Sequence, residues 1–140
     1  MTQYEVLEAR VRDQSERQAI LDNPGFGTHF TDRMARVEWS IESGWSDHRI
    51  VGCAPFTLDP ATAVFHYAQE AFEGLKAYAH ADGSIWRFRA EANAERFQRS
   101  CRRLGLPELS TEDFLAGIDQ LVTLEQDWVP RGEEQSLYLR

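Results

Sequence analysis

The dipeptide Asp82-Gly83 stands between two short runs of alternating polarity, Ala77-Tyr78-Ala79 and Ser84-Ile85-Trp86-Arg87-Phe88. A two-residue loop that folds one strand back on another needs positive φ at its centre, which Asp-Gly supplies and few other dipeptides tolerate. An antiparallel hairpin is therefore predicted here. A lone hairpin is marginal in water and must lay one face on apolar surface. The residues downstream can provide it. Glu91 to Leu104 reads as a helix ended by Gly105 and Pro107, with Ala94, Phe97, Cys101 and Leu104 along one face. Ser110-Thr111-Glu112-Asp113 has the form of a capping box with Ser110 at the N-cap. It opens a second helix to the region of Leu124, with Phe114, Ile118, Leu121 and Val122 as the buried stripe.

Upstream, Tyr4 to Val11 alternates like a strand, a charged stretch follows to Leu21, and Asn23-Pro24-Gly25 is turn chemistry. Residues 1–25 read as an arm or edge segment. Ala35-Arg36-Val37-Glu38-Trp39 reads as a strand, Gly44-Trp45-Ser46-Asp47 as a turn, and Arg49 to Phe56 as an extended stretch broken by Pro55. Asp59 and Pro60 are predicted to be the N-cap and first residue of a helix that runs to about Tyr67. Ala71 to Tyr78 is extended around Gly74, and Gln135 to Arg140 alternates as a last strand that the chain leaves unfinished. Hairpin strands with helices between and after them place the chain in the α+β class, mostly antiparallel sheet with flanking helices. With 140 residues, 42% of them hydrophobic, one domain with a real core is expected.

The net charge of −8 argues against a nucleic-acid partner, which calls for a basic field. No run of ~18 apolar residues is present, so no membrane span is expected. Met1-Thr2-Gln3-Tyr4-Glu5 has neither the basic nor the apolar region of a secretion signal, and a cytoplasmic location is expected. Cys53 and Cys101 are far apart without CxxC spacing and read as free buried thiols. No phosphate-binding glycine loop, GxSxG or HExxH pattern occurs. His29, His48, His66 and His80 have no companion at ligand spacing, so no metal is expected. Of the 15 basic residues only Lys76 is a lysine, so lysine chemistry within the chain could use no other.

Three constellations could touch a ligand. Arg96, Arg99 and Arg103 follow one side of the first long helix. They are either a phosphate-recognising set, since the planar guanidinium offers two parallel donors, or a solvated basic face paired with nearby Glu. Phe72-Glu73-Gly74 is either a close approach of backbone to a ligand or a bulge. Tyr67, Phe72 and Tyr78 either wall an apolar pocket or are ordinary core aromatics.

Five ordered blocks narrow these choices. They are Phe26-Gly27-Thr28-His29-Phe30-Thr31-Asp32-Arg33-Met34 with Val37-Glu38-Trp39, then His66-Tyr67 through Phe72-Glu73-Gly74-Leu75-Lys76-Ala77-Tyr78, then Arg87-Phe88-Arg89 with Asn93 and Arg96, then Asp127-Trp128-Val129-Pro130, and last Ser136-Leu137-Tyr138-Leu139-Arg140. In order and spacing they resemble the branched-chain amino acid aminotransferases, which belong to class IV of the pyridoxal-phosphate fold. The resemblance covers about Pro24 to Arg140. Two positions depart from the family pattern, Ala90 for a proline and Arg33 for a histidine.

The resemblance implies a small amino-terminal domain, residues 26–140, that closes over a large catalytic domain absent from this chain. It implies pyridoxal 5'-phosphate as cofactor, with Arg96 on its phosphate. It implies a substrate pocket drawn from Phe26, Tyr67, Phe72, Gly74, Tyr138 and Arg140. An apolar aromatic wall suits Leu, Ile and Val, while an arginine and tyrosine hydroxyls at its rim suit the second carboxylate of glutamate. The implied activity is reversible amino transfer between the branched-chain amino acids and 2-oxoglutarate, in branched-chain amino acid biosynthesis. A homodimer is implied, because the counterpart of Tyr67 reaches the partner's site. No catalytic residue is expected in this chain: the cofactor-bearing lysine belongs beyond Arg140, and Lys76 is not its counterpart. The chain alone should therefore be inactive, as a portion of a longer enzyme. The alternatives are another class IV activity, D-amino-acid transaminase or aminodeoxychorismate lyase, or a non-catalytic dimerisation or ligand-binding module.

Overall fold

The computed structural model describes residues 2–140, which form two three-stranded sheets around a pair of packed helices. The first sheet holds β1 (Glu5–Val6), β3 (Gly44–Gly52) and β2 (Arg33–Ser40) in the order β1-β3-β2. β2 and β3 are antiparallel, while β1 pairs parallel to β3 through Glu5 opposite Arg49 and Val6 opposite Ile50. The second sheet holds β4 (Leu75–Ala79), β5 (Ile85–Arg87) and β6 (Leu137–Leu139) in the order β5-β4-β6, antiparallel throughout. The α+β class expected from the sequence is what the chain adopts, with its antiparallel pairing divided between two sheets.

The hairpin at Asp82-Gly83 forms, but its loop holds three residues, 81–83, between His80 and Ser84 rather than two. Gly83 takes φ +88°, and the Asp82 carboxylate accepts from the Ser84 backbone N–H at 2.9 Å. The strands alternate accordingly: Leu75 and Ala77 are buried, Lys76 and Tyr78 exposed. Ala77 joins Val122 and Val129 in the core under this sheet, together with Ala79, Ile85, Ile118, Leu137 and Leu139. The opposite face carries Lys76 beside Tyr138 and Tyr78 beside Trp86.

Helices α3 (Ala90–Leu104) and α4 (Thr111–Leu124) match the expected bounds closely. Gly105 closes α3 at φ +66°, and the Ser110 side chain accepts from Asp113 N–H to open α4. The helices meet through Phe97 and Phe114, ring centroids 5.5 Å apart. Ile118 and Val122 of α4 meet the second sheet, and the same helix contacts β2 and β3 of the first. At Gly117 the helix has no side chain, and Tyr4 fills the space. A Cβ there would stand 2.8 Å from the Tyr4 ring. Gln120 completes the latch, accepting from Tyr4 N–H at 2.9 Å and donating to its carbonyl at 2.7 Å.

Several expectations are corrected. The charged stretch after Val11 contains a helix, α1 (Gln14–Leu21), opened by a full capping box between Asp13 and Glu16. The helix expected from Pro60 is the five-residue α2 (Ala63–Tyr67), because Asp59 spends its carboxylate on the Ala61 N–H in a turn. Gly44 to Asp47 is the start of β3, which ends at Gly52; Asp47, at φ +55°, sits where the β2–β3 register shifts. Strand structure around Gly74 begins only at Leu75. Cys101 is buried as expected, but Cys53 is exposed, one residue past the end of β3. Leu104, expected on the apolar face, is 42% exposed on the last turn of α3.

A buried polar knot ties these parts together. Glu125, 2% exposed, accepts from Arg33 Nη1 at 2.7 Å and from the Asp32 backbone N–H at 2.8 Å. Asp32, also buried, accepts from Arg12 Nη1 at 3.0 Å and from Trp128 Nε1 at 2.9 Å. The Asp32 carbonyl takes the Cys53 N–H at 2.8 Å. Removing one member of such a set strands the others without water. Glu125→Ala should cost about 3–5 kcal/mol in urea unfolding, and Glu125→Gln, which keeps an acceptor for the Asp32 N–H, distinctly less. A loss below about 1 kcal/mol for the alanine variant would show that the knot carries little.

Candidate functional site

The segment after α2 crosses in front of α3 before it becomes β4. Gln69 Nε2 donates to the Leu104 carbonyl at 3.0 Å and fixes the start of this crossing. Asn93 and Arg96 lie one turn apart on α3, so both point to the same side of the helix. They meet Glu73 there. Arg96 donates through Nε to Glu73 Oε2 at 2.8 Å and through Nη2 to Oε1 at 2.5 Å. Asn93 Nδ2 donates to Glu73 Oε1 at 2.9 Å and to the Gly74 carbonyl at 3.0 Å, and the Gly74 N–H donates to Glu73 Oε1 at 2.9 Å.

Glu73 is 8% exposed and so accepts from three partners. The Arg96 hydrogen bonds, helped by Asn93 and the Gly74 N–H, pull its carboxyl down to about 2 against the burial that opposes ionisation. The same contact raises the Arg96 guanidinium further above its ordinary value. Glu73 occupies only the side edge of the guanidinium. The end edge, Nη1 and the second Nη2 hydrogen, has no partner among the described residues, on a side chain that is 60% exposed. Arg96 is thus a held arginine with two parallel donors turned outward.

Beyond Glu73 the chain passes Gly74 and meets β6. A Cβ at Gly74 would overlap the Tyr138 hydroxyl and come within 3.0 Å of its ring. The sequence offers a ligand or a bulge at this glycine; within the fold the neighbour that fills its open side is Tyr138. The Phe26 ring leans on Tyr138 with centroids 5.4 Å apart. Arg140 lies over the Phe30 ring, 5.0 Å from its centroid. The structure thereby brings Arg96, Gly74, Tyr138 and Phe26 into one chain of contacts, with Arg140 beside it. Phe72 is exposed immediately before Glu73. Tyr67 is exposed on the end of α2, its ring 6.3 Å from that of His66. Tyr67, Phe72 and Tyr78 share no ring contact among the described residues; Tyr78 lies instead in a shallow groove with His80, Trp86, Arg87 and Phe88.

The other arginines of α3 do something different. Arg102 grips Glu108 at 2.9 and 2.6 Å, and with Arg99 and Arg103 it lines an open hollow that excludes Arg96. Lys76 is exposed on the outer sheet face opposite Tyr138. No group of three His, Cys, Asp or Glu among the described residues could hold a metal. No helix among them is long and apolar enough to cross a membrane. The residues that sequence reasoning passed over are Glu73 and Asn93. Their signal was present: Asn93 and Arg96 at i and i+3, with a carboxylate in the preceding block to receive them.

Two outcomes follow from this geometry. The folded Glu73 value of about 2 lies below its ordinary 4.5, so its contribution to stability is complete above pH ~4.5 and is lost as pH falls toward 2. Urea midpoints should therefore drop more steeply over that window for the wild type than for Glu73→Gln; equal slopes would contradict the pair. At Gly74, Ala should destabilise by about 1–3 kcal/mol by driving Tyr138 from its seat. Adding Tyr138→Phe should recover part of this loss in a double-mutant cycle, and strict additivity would show that the two do not meet.

No protein-family model matches the chain. Individual relatives do. It is 58% identical over 127 residues to a probable branched-chain-amino-acid aminotransferase of Streptomyces coelicolor, a match covering 90% of this chain and 35% of that protein. It is 46% identical over 140 residues to the branched-chain-amino-acid aminotransferase of Mycobacterium tuberculosis, covering 99% of this chain and 38% of the relative. The branched-chain-amino-acid transaminase 1 of Bacillus subtilis is 48% identical over 116 residues, 83% of this chain and 33% of its own length. The chain therefore spans about a third of the length of the curated relatives it matches. At these identities, sustained along nearly all of its sequence, the chain belongs to the branched-chain-amino-acid aminotransferase family, of which it represents the amino-terminal third.

Proposed function

We propose that this chain is the phosphate- and substrate-recognising part of a pyridoxal-phosphate-dependent branched-chain aminotransferase of class IV fold. It would act in the cytoplasm, as a homodimer, in branched-chain amino acid biosynthesis. The observation that carries the reading is the identity to proteins of that name along nearly the whole chain. The contacts among Arg96, Gly74, Tyr138 and Phe26 support it from a second direction.

The residues present fit the cofactor. An outward edge of two parallel N–H donors on a permanently charged group is what a phosphate monoester needs, and the buried Glu73 keeps that edge aimed. When bound, pyridoxal phosphate supplies an electron sink for the bonds at the substrate Cα and carries the amino group between the two half-reactions. Arg96 holds its phosphate. Phe26, Phe72, Tyr67 and Tyr138 offer the apolar surface against which a leucine, isoleucine or valine side chain excludes water. Gly74 lets the wall come close, and Arg140 serves the second carboxylate when glutamate takes the same place. Phe26, Tyr67 and Phe72 are all exposed here, as a wall completed by other parts of the enzyme requires. The cofactor-bearing lysine is assigned to the part of the relatives this chain does not span, and Lys76 to the outer sheet face.

The test is Arg96→Ala in the full-length enzyme. Loss of a two-point charge-assisted contact should raise the dissociation constant for pyridoxal phosphate about 10- to 100-fold. The ratio of kcat/KM for leucine against isoleucine should stay nearly constant. Unchanged cofactor affinity with a selective loss of leucine affinity would refute the assignment.

A further inference from the structure

We propose that Glu73 is a positioning residue that aims Arg96 at the cofactor phosphate and couples that contact to the substrate wall. The inference rests on the reading of Arg96 given above. Four observations carry it. Glu73 is nearly sealed from water while the arginine it grips is 60% exposed, so the fixed partner is the carboxylate and the arginine tip is what it orients. The grip is side-on, through Nε and Nη2, which sets the guanidinium plane and leaves the end edge open. A single-point contact would leave that plane free to turn. Asn93 holds the same carboxylate oxygen from the helix side, so Glu73 cannot swing away with the loop.

The last observation gives the coupling. Glu73 Oε1 also accepts from the N–H of Gly74, and Asn93 Nδ2 donates to the Gly74 carbonyl. Both ends of the Gly74 residue are thus bound to the arginine's anchor. Gly74 in turn sits against Tyr138, which bears on Phe26. A shift of the arginine plane is transmitted through one carboxylate to the residue that sets how closely the wall approaches. Electrostatics alone would make Glu73 an opponent of phosphate binding, since its negative charge offsets the positive charge of Arg96. Orientation and field therefore make opposite predictions for its removal, and an experiment separates them.

In the full-length enzyme, apoprotein of the wild type, Glu73→Gln, Arg96→Ala and the double variant is titrated with pyridoxal phosphate, followed by tryptophan fluorescence. A parallel titration uses pyridoxal, which lacks the phosphate. Glutamine keeps the volume and one acceptor but offers an NH₂ where the second donor must dock, so the two-point grip is lost and the fold is spared. The expected result is about a tenfold weaker pyridoxal phosphate affinity for Glu73→Gln, with pyridoxal affinity nearly unchanged. The double variant should be no weaker than Arg96→Ala. Equal weakening toward both compounds would show a merely structural residue and overturn the proposal. Unchanged or tighter phosphate binding by Glu73→Gln, with Arg96→Ala impaired, would overturn it while leaving the role of Arg96 intact. If Arg96→Ala itself fails to discriminate the two compounds, the parent reading falls and takes this one with it.

Discussion

Two carboxylates without water hold this fold in register. Asp32 and Glu125 are both buried, from opposite ends of the chain, and each spends its oxygens on several donors. Between them they fix the arm through Arg12, the first sheet through Arg33 and the Asp32 backbone, and the end of α4 through Trp128. A hydrophobic contact among the same elements would tolerate sliding, whereas hydrogen bonds of defined length do not. The knot is thereby better understood as a device for uniqueness than for net stability, because burying charge is costly even when it is fully paired. Through the knot the end of α4 is tied to the first sheet, while the hairpin sheet lies on the same helix through Ile118 and Val122.

The site repeats the device on a smaller scale and with one difference. Glu73 is buried like Glu125, but its arginine is left half in solvent. In the knot Arg33 is largely buried and turns no open edge to solvent, although its Nε is left without a partner. At the site one edge of the guanidinium is held in reserve. The side-on grip leaves the end edge of Arg96 open, and the carboxylate that makes it is itself buried. Arg102, tied to Glu108 in the same side-on manner, shows that the grip by itself does not define a site; its carboxylate, unlike that of Glu73, is not buried.

The elements legible in the sequence were those whose signals are local. The Asp-Gly turn, the Ser110 cap and the Gly105 stop are decided within a few residues, and α3, α4 and the hairpin formed where they were expected. α1 was missed although Asp13 and Glu16 form a complete capping box, because the helix has no buried residue and so no apolar stripe. α2 was misplaced because Asp59 had two local uses and the turn won. At the site, the arginine and the glycine stood out as residue types, while their partners did not. That Tyr138 approaches Gly74, or that Tyr4 fills Gly117, depends on distant chain segments meeting, which periodicity does not report. Glu73 was hidden for another reason. It sat inside a block whose aromatic and glycine drew the argument, and a carboxylate in a recognition segment reads as solvated until its burial is known.

The latch on Tyr4 has a consequence in time. Gln120 binds both the N–H and the carbonyl of Tyr4, standing in for a neighbouring strand across 116 residues of sequence. During synthesis the arm precedes α4, and although β3 can take up β1 and Asp32 can take up Arg12, the Tyr4 latch cannot close until α4 has been made and has left the ribosome. The first sheet can pair β2 with β3 and β3 with β1 earlier, but Tyr4, next to β1, is seated only by α4. The Tyr4 latch is thus among the later contacts of the described residues to close, and a ribosome that pauses before residue 120 leaves it open.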